Sequence, residues 1–381
     1  MYGSENLKRV FDVEISTVST IKELEALERW WIEMHKLDEN AGFFLSYEWM
    51  SSVMRAHPDE WVVIIAAERN RPVALLPLRR TVRQSKSQGR EIRMLTAAGR
   101  LGWAQYAGFI CHPDYEKEAI VALAQSVSKN SWDEFHFKHV PMDGRLRLFC
   151  ENLDQKSMRA QNVPDVINGG TVNSLICPFV ALEGTFDEWV DARSANRRKK
   201  FRKSLRELED DPQLRIEYST PETVSAHLEI LFRNWYDQWA PQRGRRAAHA
   251  AVEAYRTHLA HAENLGVLDV PVLWREDTPM IAIANINDHT EAKVYVIATG
   301  RNTSIDEQGI GLKIHIDSIR RAFQSGMKTY DFCHGDEPYK FDFGAQPMQV
   351  SNLIFQRPPQ SSGKPKTDRV ERRALDRELV S

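Results

Sequence analysis

Apolar residues at Ile21, Leu24, Leu27, Trp31 and Met34 recur at steps of three and four. That is the period of one helix face, and it predicts a helix over 21–37. A shorter helix is expected over 47–55, before Pro58. Strand-like runs follow at 61–67 and 72–82, with Arg69-Asn70-Arg71 between them as a hairpin turn. Weaker strands are expected at 92–97 and 107–111, a helix at 116–127 and a short strand at 134–137, with His139 and Val140 behind it. The stretch 154–170 has no strong period and carries Pro164 and the pair Gly169-Gly170, so the domain boundary is placed there. The second half reads as a strand at 175–182, one helix at 186–209 ended by Pro212, and a strand at 214–218. Two long helices follow at 224–239 and 247–264, then a three-stranded meander over 267–274, 280–286 and 292–298. A polar loop at 300–308 leads into a helix from about Gly311 to Ser325, with Gly326 in the position of a terminating glycine. Strands at 329–333 and 350–355 close the pattern, and 357–381 reads as a mobile tail with a frayed helix near 369–379. Both halves show the same order of helices, a strand pair, then helix and strand again. The economical reading is a duplicated α/β unit, with domains at 10–160 and 171–356.

Composition narrows the class. The chain has 381 residues, 42% hydrophobic and 27% charged, which suits soluble globular domains and excludes wholesale disorder. Lys and Arg number 51 against 53 Asp and Glu, so no global positive field collects phosphates, which argues against a dedicated DNA binder. No apolar run approaches the roughly 20 residues of a spanning helix, and Met1–Val10 has no apolar core of the signal-peptide kind. Cys111, Cys150, Cys177 and Cys333 lie far apart without a CxxC pair; they read as buried or free thiols of a reducing cytoplasm.

Two local patterns could carry chemistry. The strand Lys293–Ala298 runs through Asp306-Glu307-Gln308-Gly309-Ile310-Gly311-Leu312 into a helix. Glycines at a helix entrance leave N–H donors unshielded, suiting a phosphate or carboxylate cradle, but the spacing fits neither a Walker A loop nor a dinucleotide fingerprint, and two glycines by themselves read first as a plain loop. The second pattern is Tyr330-Asp331-Phe332-Cys333-His334-Gly335-Asp336-Glu337-Pro338-Tyr339-Lys340. It gathers acid, base and cationic side chains where a strand ends, either as a site or as a solvated turn. The run Arg197–Lys203 is an anion site, for a phosphorylated acceptor, CoA phosphate, lipid-linked sugar or tRNA, or else a solvated helix face over Phe201, Leu205 and Leu208. Trp235, Tyr236, Trp239 and Arg243 could stack on sugar or pack a core. His334 has no metal-ligand companion at helical spacing, so no metal is expected.

Gly309-x-x-Leu312, the helix ending near Ala322 and Gly326, Tyr330-Asp-Phe and above all Gly335-Asp-Glu-Pro-Tyr-Lys340 resemble the signature of the CelD/BcsL-type acyltransferases. These are the GNAT-superfamily branch linked to cellulose and exopolysaccharide biosynthesis, and are similar to the FemABX transferases. Phe43–Trp49 and the basic helix around 197–206 resemble the openings of that family's two domains. The resemblance spans about residues 20–356. It implies an α/β (α+β) architecture of two tandem GNAT-like domains, each a mixed, mostly antiparallel sheet flanked by helices. It further implies acetyl transfer from acetyl-CoA to an amine or hydroxyl acceptor, a small molecule or glycan precursor. Asp336, Glu337, Tyr339 and Lys340 are then the catalytic candidates, Gln308, Gly309, Ile310, Gly311 and Leu312 the donor loop, and Arg197, Lys200, Trp239, Arg243 and His334 the acceptor contacts. The helix at 195–209 is a candidate for peripheral membrane contact. In the general GNAT loop Asp306 replaces Gln or Arg, which keeps an aminoacyl-tRNA-dependent, Fem-like transferase open; a non-catalytic interaction protein of the same fold is the alternative from another class.

Overall fold

The computed structural model describes residues 12–85, 89–99, 105–167 and 170–358. Of the tail expected at 357–381, residues 359–381, with the helix near 369–379, lie outside them, as do residues 1–11; Arg357 is not part of a free tail, since its guanidinium lies over the Trp132 ring and donates to the Asn130 carbonyl. The first half runs β1 (Val13–Val18), α1 (Ile21–Leu37), α2 (Tyr47–Ala56), β2 (Trp61–Glu68), β3 (Arg71–Ser85), β4 (Arg90–Ala97), β5 (Ile110–Cys111), α3 (Glu116–Lys129), β6 (Glu134–Pro141) and α4 (Gly144–Glu151). Short strands β7 (Arg159–Asn162), β8 (Val166–Ile167) and β9 (Val172–Asn173) cross the expected boundary. The second half continues with β10 (Ile176–Ala181), α5 (Phe186–Asp191), α6 (Ala195–Asp210), β11 (Leu214–Glu217), α7 (Val224–Arg243) and α8 (Arg245–Asn264). It then runs β12 (Leu268–Asp269), β13 (Val272–Arg275), β14 (Thr278–Asp288), β15 (Lys293–Arg301), α9 (Ile310–Gln324), β16 (Thr329–Asp331), α10 (Pro338–Asp342) and β17 (Gln346–Gln356).

Most elements form where the periodicity put them, for local reasons that can be named. Thr20 and Glu23 form a reciprocal capping box at the start of α1. Arg69 and Asn70 both take positive φ between β2 and β3, as a two-residue hairpin of this twist requires. Gly326, at φ 72°, terminates α9, and the next amide reaches back from Met327 to the Ala322 carbonyl.

The expected helix at 186–209 is instead two, broken at 192–194. The Arg193 side chain leaves the helix axis, bonding the Trp189 carbonyl at 3.1 Å and the Phe343 carbonyl at 3.4 Å. It fills the space that a Cβ on Gly344 would need. A long-range contact sets this break, so periodicity alone did not locate it.

One sheet path connects both halves, in the order β1-β2-β3-β4-β6-β17-β10-β16-β15-β14-β13-β11. It is antiparallel except at β4–β6 and β15–β16. The last strand is the bridge: Gln346–Gln349 pair with β10, and Val350–Gln356 pair with β6. The core is shared as well. The Phe44 ring of the first half meets Trp49 edge-on at 5.1 Å and Tyr295 of β15 at a tilt at 5.1 Å, and Trp49 meets His258 on α8 at 5.0 Å. Such buried aromatic contacts are worth about 0.5–1.5 kcal/mol each beyond the area they bury.

On β15, Gly300 lies directly under α7. A Cβ there would stand 2.4 Å from the Leu231 carbonyl oxygen and 2.9 Å from the Trp235 nitrogen. Both are helix backbone, which cannot step aside alone. Gly300→Ala is therefore expected to destabilise by about 1–3 kcal/mol, read by denaturant unfolding; an unchanged midpoint would contradict this packing.

Candidate active site

The site is made by a parting of strands. β15 and β16 are paired only over Lys293–Tyr295 and Thr329–Asp331. β15 then runs on to Arg301, with a bulge against β14 near Ile297. The other chain turns out of the sheet at Cys333, whose φ of 55° lies in the left-handed region. The Asp331 carboxylate accepts the Cys333 amide at 2.7 Å and holds that turn. Gly335 follows at φ 103°; a Cβ there would stand 2.6 Å from a Glu337 carboxylate oxygen, so glycine is required. The gap opens into a cavity of about 430 Å³ that β15 lines with Val296, Ile297, Ala298, Thr299 and Arg301. This volume is in the range of small-molecule sites.

α9 supplies one wall. Gly309 caps it in the left-handed conformation at φ 79°, and Gly311 and His315 line the cavity. Gly311 itself has ordinary helical backbone, and a Cβ on it would meet no atom within 4 Å; its openness serves the cavity, not the turn. Ile310 points into the core, while Gln308, Gly309 and Leu312 border a separate groove facing α6. Burial, with the Lys340 charge adding to it, pushes the His315 imidazole down to about 3, so it stays neutral. Its Nδ1 meets the Tyr330 hydroxyl at 3.0 Å, and its ring stacks on Tyr339 at 5.8 Å.

Of the four catalytic candidates, Glu337, Tyr339 and Lys340 line the cavity. Burial first, and the Glu337 charge second, hold the Tyr339 phenol above its ordinary value. Two-fifths of the residue is still exposed, so burial raises the phenol only in part, but at neutral pH it is protonated and can donate. Lys340 is buried, and its ammonium is fully engaged: it donates to the carbonyls of Phe332 at 3.2 Å, His334 at 2.9 Å and Gly335 at 2.9 Å. It also pairs with Glu337 at 2.9 Å. Three donors on three carbonyls make Lys340 the clamp of the turn. Asp336 faces away, accepting the Asn173 amide of β9 at 2.7 Å.

Asp331 stood within the motif but not among the candidates, because its role depends on a residue 225 positions away: the Tyr106 hydroxyl donates to it at 2.7 Å. Burial raises its carboxyl from an ordinary 3.8 to about 6. The charged form is thus disfavoured in the fold, by about 3 kcal/mol. That penalty is absent below pH ~4, grows as pH rises toward about 6 and is constant above. Stability of the parent relative to Asp331→Asn is expected to fall across that window, measured by denaturant melts at pH 4 to 8; a difference independent of pH would contradict the assignment.

The acceptor candidates divide. Trp239, Arg243 and His334 line the cavity; the Arg243 guanidinium lies 5.5 Å from the Trp235 ring centre and 5.7 Å from that of Trp239. His334 faces the first half, with Nδ1 at 3.1 Å from the Gln105 amide oxygen. Arg197 and Lys200 do not reach the cavity. Arg197 pairs with Asp342, and Lys200 borders the α6 groove. Other cations of α6 are also used internally, Arg198 on the carbonyls of Asp191 and Arg193, and Arg202 on the Asp191 carboxylate. No disulfide joins the four cysteines; burial raises Cys111 and Cys177 to about 12 and Cys150 to about 11. Among the described residues no group of His, Cys, Asp and Glu could hold a metal ion, and no helix is long and apolar enough to cross a membrane.

Part of the sequence, and the fold as a whole, are similar to known proteins. Residues 195–341 match the family model of an acetyltransferase (GNAT) domain. Among solved structures, FemX superposes with a TM-score of 0.57 at 11% identity, over 90% of this chain and 97% of its own. A tandem GNAT protein from the clavulanic acid biosynthesis pathway gives 0.53 at 7%, over 92% and 100%. The C-terminal domain of a putative lysylphosphatidylglycerol synthetase from Agrobacterium fabrum gives 0.50 at 10%, over 88% and 92%. No curated protein sequence matches the chain. The fold is a tandem GNAT fold, as the sequence motifs implied. The stretch that matches the acetyltransferase (GNAT) model lies in its second half, and so does the β15–β16 gap.

Proposed function

We propose that this protein transfers an acyl group, acetyl in the simplest case, from acyl-CoA to an amine or hydroxyl of a glycan precursor. The observation that carries the reading is the opening between β15 and β16, with a proton-donating phenol and a carboxylate on one wall and a helix N-terminus on the other. The halves 10–160 and 171–356 are the proposed domains, sharing a sheet through β17; the first shapes the acceptor side.

The fit to the donor rests on three features. The unpaired edge of β15 offers backbone groups to an extended arm. Gly311 leaves the helix entrance open. The buried Arg301 Nε has no partner among the described residues. The acidic loop is not an obstacle: Glu307 is held by Arg275 at 2.8 Å and by Lys313 at 3.5 Å, and Asp306 is exposed.

The donor supplies an activated thioester carbonyl. Glu337 takes the acceptor proton as the new bond to the carbonyl carbon forms. Tyr339 gives its proton to the departing sulfur as the C–S bond breaks. Backbone N–H groups of β15 polarise the carbonyl oxygen. Neutral His315 supports the Tyr339 ring without adding charge, and Lys340 fixes the turn that carries both reacting side chains. The test is release of free CoA thiol from acetyl-CoA across a panel of amino sugars, nucleotide sugars and polyols. Acceptor-dependent release with product acetylation supports the reading. Donor binding without transfer to any of them, even at high enzyme concentration, would sink the proposed acceptor class.

A further inference from the structure

Charge along the cavity is unevenly distributed. Its lining side chains include three cations, Arg243, Arg301 and Lys340, against the single carboxylate Glu337, which is already paired with Lys340. Among the cavity-lining side chains the other two guanidinium charges face no carboxylate of their own, both toward the end where α7 runs past β15. The Gln238 amide oxygen accepts the Arg301 amide at 3.2 Å, which fixes α7 against the end of the strand. Arg301 is positioned through one bond, from Nη2 to the Glu307 carbonyl at 3.2 Å, while its Nε is buried and without a partner among the described residues. Arg243 lies against the two indoles of Trp235 and Trp239. Stacking of this kind restrains a guanidinium while leaving its edge N–H groups for a planar or phosphate oxyanion. Gly311 borders the same cavity.

We propose that Arg243 and Arg301 form a two-arginine clamp for a diphosphate at this mouth, supplying the positive charge that the loop lacks because its cations Arg275 and Lys313 are spent on Glu307. Paired guanidiniums match diphosphate oxygens through charge-assisted bonds. The same chemistry has two sources here, the diphosphate of a CoA donor or that of a nucleotide-linked acceptor. The inference rests on the acyltransferase reading for its ligands but not for its clamp.

The experiment is calorimetry on the full chain with inorganic pyrophosphate, acetyl-CoA and S-acetylpantetheine, which lacks the diphosphate. Parent, Arg243→Gln and Arg301→Gln are compared, with melting curves to confirm that each variant is folded. The expected result is pyrophosphate binding to the parent that weakens at least tenfold in each variant. Acetyl-CoA weakened in parallel, with S-acetylpantetheine unchanged, assigns the clamp to the donor. Acetyl-CoA unchanged while pyrophosphate is lost assigns it to the acceptor. If acetyl-CoA fails to bind the parent but pyrophosphate binding still depends on both arginines, the clamp stands and the acyl-CoA reading falls. Pyrophosphate that does not bind, or that binds parent and variants alike, overturns the clamp.

Discussion

Tyr339→Phe is expected to lower kcat by about 10²–10⁴-fold, the usual worth of a positioned proton donor, while acetyl-CoA affinity and Tm stay close to those of the parent. The change removes one oxygen from a ring that keeps its stacking on His315 and its edge contact with Phe332. The raised phenol means that the lost group was protonated throughout the neutral range. Glu337→Gln should lower kcat as well, but with a loss of stability, because it also breaks the pair with Lys340. The two variants therefore separate chemistry from architecture. A Tyr339→Phe enzyme within a few-fold of the parent would remove the phenol from the mechanism.

Lys340→Met is expected to cost about 3–5 kcal/mol, as breaking a buried ion pair usually does. Its ammonium is the shared partner of three carbonyls and one carboxylate in a turn that already holds Cys333 and Gly335 at positive φ. Removing it leaves Glu337 without that charge and the carbonyls without their donor. Unfolding in denaturant measures the loss directly. A cost below about 1 kcal/mol would mean that Lys340 is not the clamp, and would return it to the substrate side of the site.

Local rules carried much of this molecule. The helical period of 21–37, the Arg69-Asn70 turn and the glycine stop at Gly326 are each decided within a few residues, and each appears where expected. So does the grouping of Glu337, Tyr339 and Lys340 around one cavity. What escaped was set by distant partners. β1 has mostly exposed side chains and exists because it pairs with β2. α10, five residues beginning at Pro338, is too short to show a period. Asp336 looked like an acid beside a site, yet the Asn173 amide turns it away. Asp331 matters through Tyr106 of the other half, and Arg301 acquires meaning only once α7 is seen to pass the end of β15. No spacing rule connects such pairs; only the folded sheet does.

The claim on which the rest depends is that the gap between β15 and β16 receives acyl-CoA. Calorimetric titration of acetyl-CoA into the parent and into Gly311→Val tests it most directly, because Gly311 lines the cavity and a Cβ there would meet no atom within 4 Å, so a branched side chain starts in open space. Saturable one-to-one binding to the parent is expected, with affinity at least tenfold lower in Gly311→Val and Tm changed little. No binding to the parent, or equal binding to both proteins, would contradict it.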